Sequence, residues 1–406
     1  MGAVLAVCIG FAVLLLGSSL KNTVQVFFAA MAISFGQSRG SFALATTLFA
    51  LTYAVAAPVA GVLAERIGPT RVLHIGILLS GGVFLLCATA GSFPLFVVAY
   101  GVLASFAYAM LSYVPAGIFV DRMFAERKRG FFYALLTNGT AGGFILLVPL
   151  WTWLAHYTGW QEILIGLAVF LLVAMAPVTL LLSRRVEHAD AAADAPKVTW
   201  QTTKNALRSS VFIRLALSFF ACGASMAFID TELMPYLSGR GITSGMSSAG
   251  VALLGACEIG GALIAGALCD RDKVKQVLVT GYLLRGASLL LIALPPTALS
   301  VVVFSAVFGV SYLMTVVGTS LWVIKSLPKG TKGVAMGLVW TLHQIGAALS
   351  IMIGNIIYDA DHTYVPAIVG LAVVAFVSTA TVLTIPGATE RTTGKGEFVQ
   401  ASASTS

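Results

Sequence analysis

The sequence predicts an all-α membrane protein with twelve transmembrane helices in two pseudo-symmetric six-helix bundles. The first observation is composition. Of 406 residues, 58% are hydrophobic and only 10% charged, and the mean hydropathy is +0.95; a soluble domain carries far more charge. The second is length, since about 20 apolar residues cross a bilayer core and twelve stretches of about that length follow one another. The third is a duplicated loop. Gly61-Val62-Leu63-Ala64-Glu65-Arg66-Ile67-Gly68-Pro69-Thr70-Arg71 closes one span and opens the next, and Gly266-Ala267-Leu268-Cys269-Asp270-Arg271-Asp272-Lys273-Val274-Lys275 does so 205 residues later. A repeat halfway along a membrane chain means two homologous bundles.

Taken in order, the first span is expected over 4–33. Its opening residues, 1–16, resemble a signal-peptide core, but they lack a basic leader and run on into 21–32, so the span reads as retained and carries Lys21. The second, 42–64, ends on the first loop motif. The third is 71–91, and the fourth, 94–119, holds Tyr108 and Tyr113. The fifth, 131–155, contains Asn138 in a run of small residues, and the sixth is 161–183. A polar segment, 184–209, with an acidic, Ala-rich centre suits a flexible bridge. The seventh span, 211–237, carries Asp230 and Glu232, and the eighth, 247–269, carries Glu258 and ends on the second motif. The ninth, 276–294, holds Arg285, and the tenth, 298–324, holds Tyr312 and Thr315. The eleventh, 333–357, holds His343 and Gln344, and the twelfth is 363–385. The domain division is therefore 1–183, a linker 184–209, a second bundle 210–388, and a tail 389–406 of disorder-like composition.

Each duplicated loop places a glycine four residues before an acid and an arginine directly after it: Gly61, Glu65, Arg66, and Gly266, Asp270, Arg271. Gly68 and Arg71 complete the first copy. The acid can meet the N-terminal dipole of a neighbouring helix and the arginine can pair with carboxylates across the gap. The loops are expected to act as conformational latches.

The net charge of +8 follows topology better than a nucleic-acid partner. Twenty of the 24 Lys and Arg fall on alternate loops and termini, whereas the opposite loops hold only Arg39 and Arg240. The positive-inside rule then puts both termini in the cytoplasm. Short outer loops suit a bacterial inner-membrane protein. The five cysteines have no metal-ligand or disulfide spacing and read as small buried hydrophobes. No nucleotide-binding or hydrolase motif is present, which points away from an enzyme and toward transport driven by gradients.

The duplicated loop and twelve spans resemble the major facilitator superfamily. Gly17-Ser18-Ser19-Leu20-Lys21-Asn22-Thr23-Val24-Gln25-Val26-Phe27-Phe28, Phe228-Ile229-Asp230-Thr231-Glu232-Leu233-Met234-Pro235-Tyr236-Leu237 and Leu342-His343-Gln344-Ile345-Gly346 are similar to its monocarboxylate transporter and oxalate/formate antiporter branch. In that branch a first-helix lysine before a Val-Phe-Phe run helps bind substrate and proton. Here Lys21 lies one residue farther upstream, and strict alignment puts Asn22 in its place. Glu258 matches an eighth-helix acid of the branch, but Ala262 stands where its arginine belongs, and Arg285 is the candidate replacement. The fifth-helix stretch Thr137-Asn138-Gly139-Thr140-Ala141-Gly142-Gly143 lacks the Gly-Pro pair of the superfamily's drug antiporters. It reads as close packing through small faces or as a backbone approach to substrate.

An ionisable group near the bilayer centre costs about 2.5–3.5 kcal/mol even on insertion scales, so each such group has two readings. Lys21 either faces a cavity or snorkels outward. Asp230 and Glu232, two apart, project about 200° from one another. One is expected to face the cavity and the other the outer surface, with Pro235 ending the helix. Glu258 is either a lone proton carrier or a partner of Arg285. His343 and Gln344 either line the cavity or bridge helices. Tyr108, Tyr113, Asn138, Tyr312 and Thr315 could together form a polar cavity wall.

The expected function is secondary transport of a small organic anion, with Lys21 and Arg285 on the carboxylate and Asp230, Glu258 or Glu232 carrying a proton. The rivals are an efflux antiporter for hydrophobic or cationic compounds and a non-transporting membrane sensor. No cofactor, metal or nucleic acid is expected. The partners are the substrate, a coupling ion such as a proton, and the lipid bilayer, and two bundles in one chain make a monomer sufficient.

Overall fold

The computed structural model describes residues 3–190 and 200–386. Among the described residues, twelve helices are long and apolar enough to cross a membrane: α1 (Val4–Ser34), α2 (Arg39–Arg66), α3 (Pro69–Ala88), α4 (Phe93–Met123), α5 (Glu126–Leu154), α6 (Trp160–Val186), α7 (Ser210–Gly239), α8 (Ser244–Cys269), α9 (Val274–Ala293), α10 (Ala298–Ser326), α11 (Lys332–Asp361) and α12 (Val365–Leu383). No strand occurs among the described residues. The sixth helix continues to Asp190, past the expected boundary at 183, and a short helix, Trp200–Leu207, precedes α7. The expected tail, 389–406, lies outside the described residues.

The two halves pack by the same rule. In the first, α1 lies on α5, α2 on α4 and α3 on α6; in the second, α7 lies on α11, α8 on α10 and α9 on α12. Each half has its own apolar core at the end away from the linker. One large core spans both halves toward the linker end. That asymmetry means the halves are closed together at one end and separate at the other.

Local irregularities place the polar groups. Gly17-Ser18-Ser19 interrupts α1, with the Ser18 and Ser19 hydroxyls bonded back to Leu15 O and Leu16 O, a known cause of helix kinks. Lys21 follows within one turn. In α4, Pro115 has no N–H and its ring clashes with the carbonyl four residues back. The helix accordingly breaks at Leu111–Ser112 and restarts at Tyr113, with Ser112 Oγ accepting from Val114 N at 3.5 Å. Tyr108 and Tyr113 flank that break. Pro235, by contrast, does not end α7, which runs on to Gly239. It lies in the last turn and a half, where one lost hydrogen bond costs little.

Candidate functional site

At the linker end the two duplicated acids play equivalent parts. Glu65, at the C-terminus of α2, accepts the Gly333 N–H at the start of α11 at 3.1 Å. Asp270, just after α8, accepts Gly130 N–H at 2.6 Å and Phe131 N–H at 2.9 Å near the start of α5. Each carboxylate therefore joins one half to a helix N-terminus of the other, where the macrodipole favours negative charge. Burial pushes the Asp270 carboxyl above its usual range, against the pull of those amides and Lys325. Glycines permit the approach, since a Cβ on Gly61 or Gly266 would strike the backbone carbonyl of Gly333 or Gly130. Gly68 makes the following turn at φ +100°, a conformation suited to glycine.

The adjacent arginines behave otherwise. Arg66 and Arg271 are exposed and form no hydrogen bond or salt bridge among the described residues. Arg71 reaches back to Ile67 O at 3.4 Å. The cationic partner of the first loop is Arg122, at the end of α4, which donates to Glu65 O at 2.8 Å and lies 3.8 Å from its carboxylate. Its counterpart in the second half is Lys325, at the end of α10, which donates to Cys269 O at 2.9 Å. Beside them Asp121 of α4 holds Arg129 at 3.0 Å and, from the other half, Lys332 at 2.7 Å. Sequence reasoning missed Asp121 and read Arg122 and Lys332 only as part of a bias of basic charge, until folding brought 121 and 332 together.

The closure continues inward. Thr341 of α11 donates to Ala54 O of α2 at 2.5 Å, and Tyr133 of α5 bonds Ser320 of α10 at 2.9 Å. Tyr113 stacks on Trp340 with centroids 4.8 Å apart, and buried Asn138 donates to Ile259 O of α8 at 3.3 Å. Beyond this layer the halves part, and α1 and α7 do not pack on one another.

The walls of that opening carry the charges. Lys21 and, one turn on, Gln25 are exposed on α1. Asp230 of α7 is exposed, and its carboxylate accepts the Tyr312 hydroxyl at 2.7 Å. Lys21 is among the cations whose charge reaches Asp230. Glu258, half-buried on α8, lies within electrostatic reach of Asp230 and Tyr312. Tyr108 and Tyr113 are half-buried, with Tyr108 packed against Tyr53 and Phe49. Lys21 and Glu258 make no hydrogen bond or salt bridge among the described residues.

Other polar residues lie behind this surface. Asn22 is fully buried, accepting from Trp151 Nε1 at 2.9 Å and donating to Gly143 O at 3.4 Å. It clips α1 to α5, while Lys21, about 100° around the helix, takes the cavity face. The small-residue stretch of α5 thus packs on α1. Arg285 is also fully buried, donating to Ser311 O at 2.8 Å, Tyr312 O at 3.0 Å and Thr315 Oγ1 at 2.9 Å. It fastens α9 to α10 and, through Ser225 and Cys222, to α7. It reaches no cavity surface, and no salt bridge joins it to Glu258 among the described residues. Thr315 is buried with it. His343 is buried between the Phe219 and Trp340 rings, with Nδ1 3.2 Å from Oε1 of half-buried Gln344. Glu232 is buried too, accepting the Tyr364 hydroxyl at 2.7 Å, rather than lying at the outer surface. A neighbouring helix start supplies a partner there.

The sequence model of the Major Facilitator Superfamily matches residues 7–351. The chain belongs to the major facilitator superfamily. Among its relatives is YcxA of Bacillus subtilis, an uncharacterized MFS-type transporter, 26% identical over 356 residues that span 86% of each chain. Human monocarboxylate transporter 11 is 27% identical over 293 residues, covering 70% of this chain and 60% of its own. The outward conformation of the MFS transporter FucP superposes with a TM-score of 0.75 at 15% identity, covering 93% of this chain and 97% of that one. This facilitator is a multi-pass membrane transporter and not an enzyme. Its duplicated loops and paired halves are the parts of a molecule that moves small molecules across a bilayer between two bundles.

Proposed function

We propose that the protein is a proton-coupled secondary transporter of small, monocarboxylate-like organic anions. The reading is carried by Lys21, a mid-span ammonium exposed in the opening between the halves without a hydrogen bond or salt bridge among the described residues. An intramembrane cation in that position favours an anionic ligand. The likeness to a monocarboxylate transporter supports the same substrate class. Asp230 is exposed and Glu258 half-buried. Either carboxylate takes the proton, and binding an anion and a proton together leaves the site near neutral for the passage between states. The halves, 1–183 and 210–388, rock about the site while the Glu65 and Asp270 contacts close the linker end. With the linker end cytoplasmic in a bacterial inner membrane, as the basic-residue bias favours, this is an outward-facing state of a functional monomer.

Isothermal calorimetry with a panel of short carboxylates tests the assignment. Lys21→Ala is expected to abolish binding, because the carboxylate is then desolvated without a partner at about several kcal/mol. Lys21→Arg is expected to keep part of it, since the charge remains but its geometry changes. Carboxylate binding that survives in Lys21→Ala overturns the mechanism. The second reading, efflux of hydrophobic cations, draws on the two acids Asp230 and Glu258 set against Lys21. It requires cation transport to persist or rise in Lys21→Ala.

A further inference from the structure

Away from the central cavity, at the linker end, a groove of about 350 Å3 lies between α3 and α6 and is lined by Arg71, His74, Ile75, Leu180, Ser183 and Arg184. We infer that it binds the phosphate headgroup of an anionic membrane phospholipid. Arg71 is the third residue of α3 and Arg184 lies in the last two turns of the helix that runs on to Asp190, so both stand near the same membrane boundary. Both also contact other parts of the chain, and a phosphate would be an additional partner within the groove. Guanidinium pairs match phosphate oxygens by geometry as well as charge.

His74 belongs to the lining as well. Its Nδ1 lies 2.9 Å from Thr179 Oγ1, and that hydroxyl donates to Met175 O at 2.9 Å. The hydroxyl proton being so used, Nδ1 is the donor to Thr179. In the neutral ring Nε2 then carries a lone pair, so the two guanidiniums, and not His74, are the groups that hold the phosphate. Ser183 supplies a hydroxyl whose own proton goes to Leu180 O at 2.9 Å.

The apolar part of the lining decides between a lipid and a free anion. Ile75 and Leu180 belong to the groove itself. Farther from the linker end along the same helices, Leu78 and Val178 are exposed, as is Leu181 beside the groove. A basic rim above an exposed apolar helix surface has the two-part chemistry of a phospholipid, charged head and hydrocarbon tail. Basic pockets between helices at the membrane boundary are known to hold such heads. This inference is independent of the substrate reading, because no groove residue lines the central cavity.

The full-length protein, reconstituted in nanodiscs of equal parts phosphatidylglycerol and phosphatidylcholine and then stripped with detergent, is examined by native mass spectrometry. The wild type is expected to retain phosphatidylglycerol in preference to phosphatidylcholine. The Arg71→Gln/Arg184→Gln variant is expected to retain roughly thirtyfold less, each basic residue near an anionic surface being worth about fivefold. Arg184→Gln alone, a change at an exposed position, gives the same readout at roughly fivefold should the double variant not purify. Competition by inorganic phosphate or glycerol 3-phosphate at concentrations equal to the lipid would mean a free-anion site and overturns the lipid assignment. Equal retention of both lipids by the wild type, or retention unchanged in the variants, overturns the site.

Discussion

Replacing Asp121 by alanine is expected to weaken the closed linker end, through an effect on the partner it strands. Asp121 sits in the first half, and its carboxylate lies 2.7 Å from Lys332 Nζ of the second, both side chains being at most 10% exposed. Removing one member of a buried pair leaves an uncompensated charge, at a cost of about 3–5 kcal/mol. Glu65 is close enough to act on Lys332 as well, so the lower figure, about 3 kcal/mol, applies. When the halves separate at this end, Lys332 meets water and the penalty disappears, so it falls on the closed state alone. At about 1.4 kcal/mol per factor of ten, the closed-to-open ratio drops roughly a hundredfold, enough to bring a 99:1 equilibrium to near parity. Spin labels at the exposed positions Glu126 and Lys329, one on each half, read this by pulsed electron resonance as loss of the short-distance population. Adding Lys332→Met should restore much of it, because the stranded charge is gone and an apolar replacement is close to neutral. An unchanged distance distribution in Asp121→Ala, or failure of Lys332→Met to restore it, refutes the charge argument.

Two further outcomes test the structure elsewhere. Trp151→Phe removes the indole donor to buried Asn22 Oδ1; it should lower thermal stability by about 1–3 kcal/mol while leaving carboxylate affinity at Lys21 nearly unchanged, and an unaltered melting temperature would show that the clip is not holding α1 to α5. A compartment-sensitive reporter inserted after Ser209 should report cytoplasm and one at Gly239 the exterior, from the bias of basic residues; the reverse pattern would invert the orientation of the whole molecule.

The candidate site was legible in part. Lys21, Asp230, Glu258 and Tyr312 stood out because charge and hydroxyls in an apolar span need a reason, and folding brings them to one opening. Arg285 stood out on the same ground yet lies elsewhere. Its two terminal nitrogens donate to carbonyls and hydroxyls of α7 and α10, more than 20 residues away in sequence, and nothing local to residue 285 announces them. The duplicated acids were readable as dipole partners, but which helix ends they meet was not. The arginines beside them were assigned the pairing that Arg122 makes with Glu65.

Sequence by itself determined the apolar spans, the twofold repeat and the class of molecule, because burying backbone in lipid demands long uncharged helices and those leave a one-dimensional signature. Only tertiary structure decided between Lys21 and Asn22. Adjacent residues on a helix differ by about 100° in direction, and it is the Trp151 indole on α5 that claims Asn22 for the interior and turns Lys21 to the opening. The pairing of Asp121 with Lys332, 211 residues apart, was likewise settled by the way the two halves meet. A contact between bundles depends on how two rigid bodies fit, and no periodicity along either one records it.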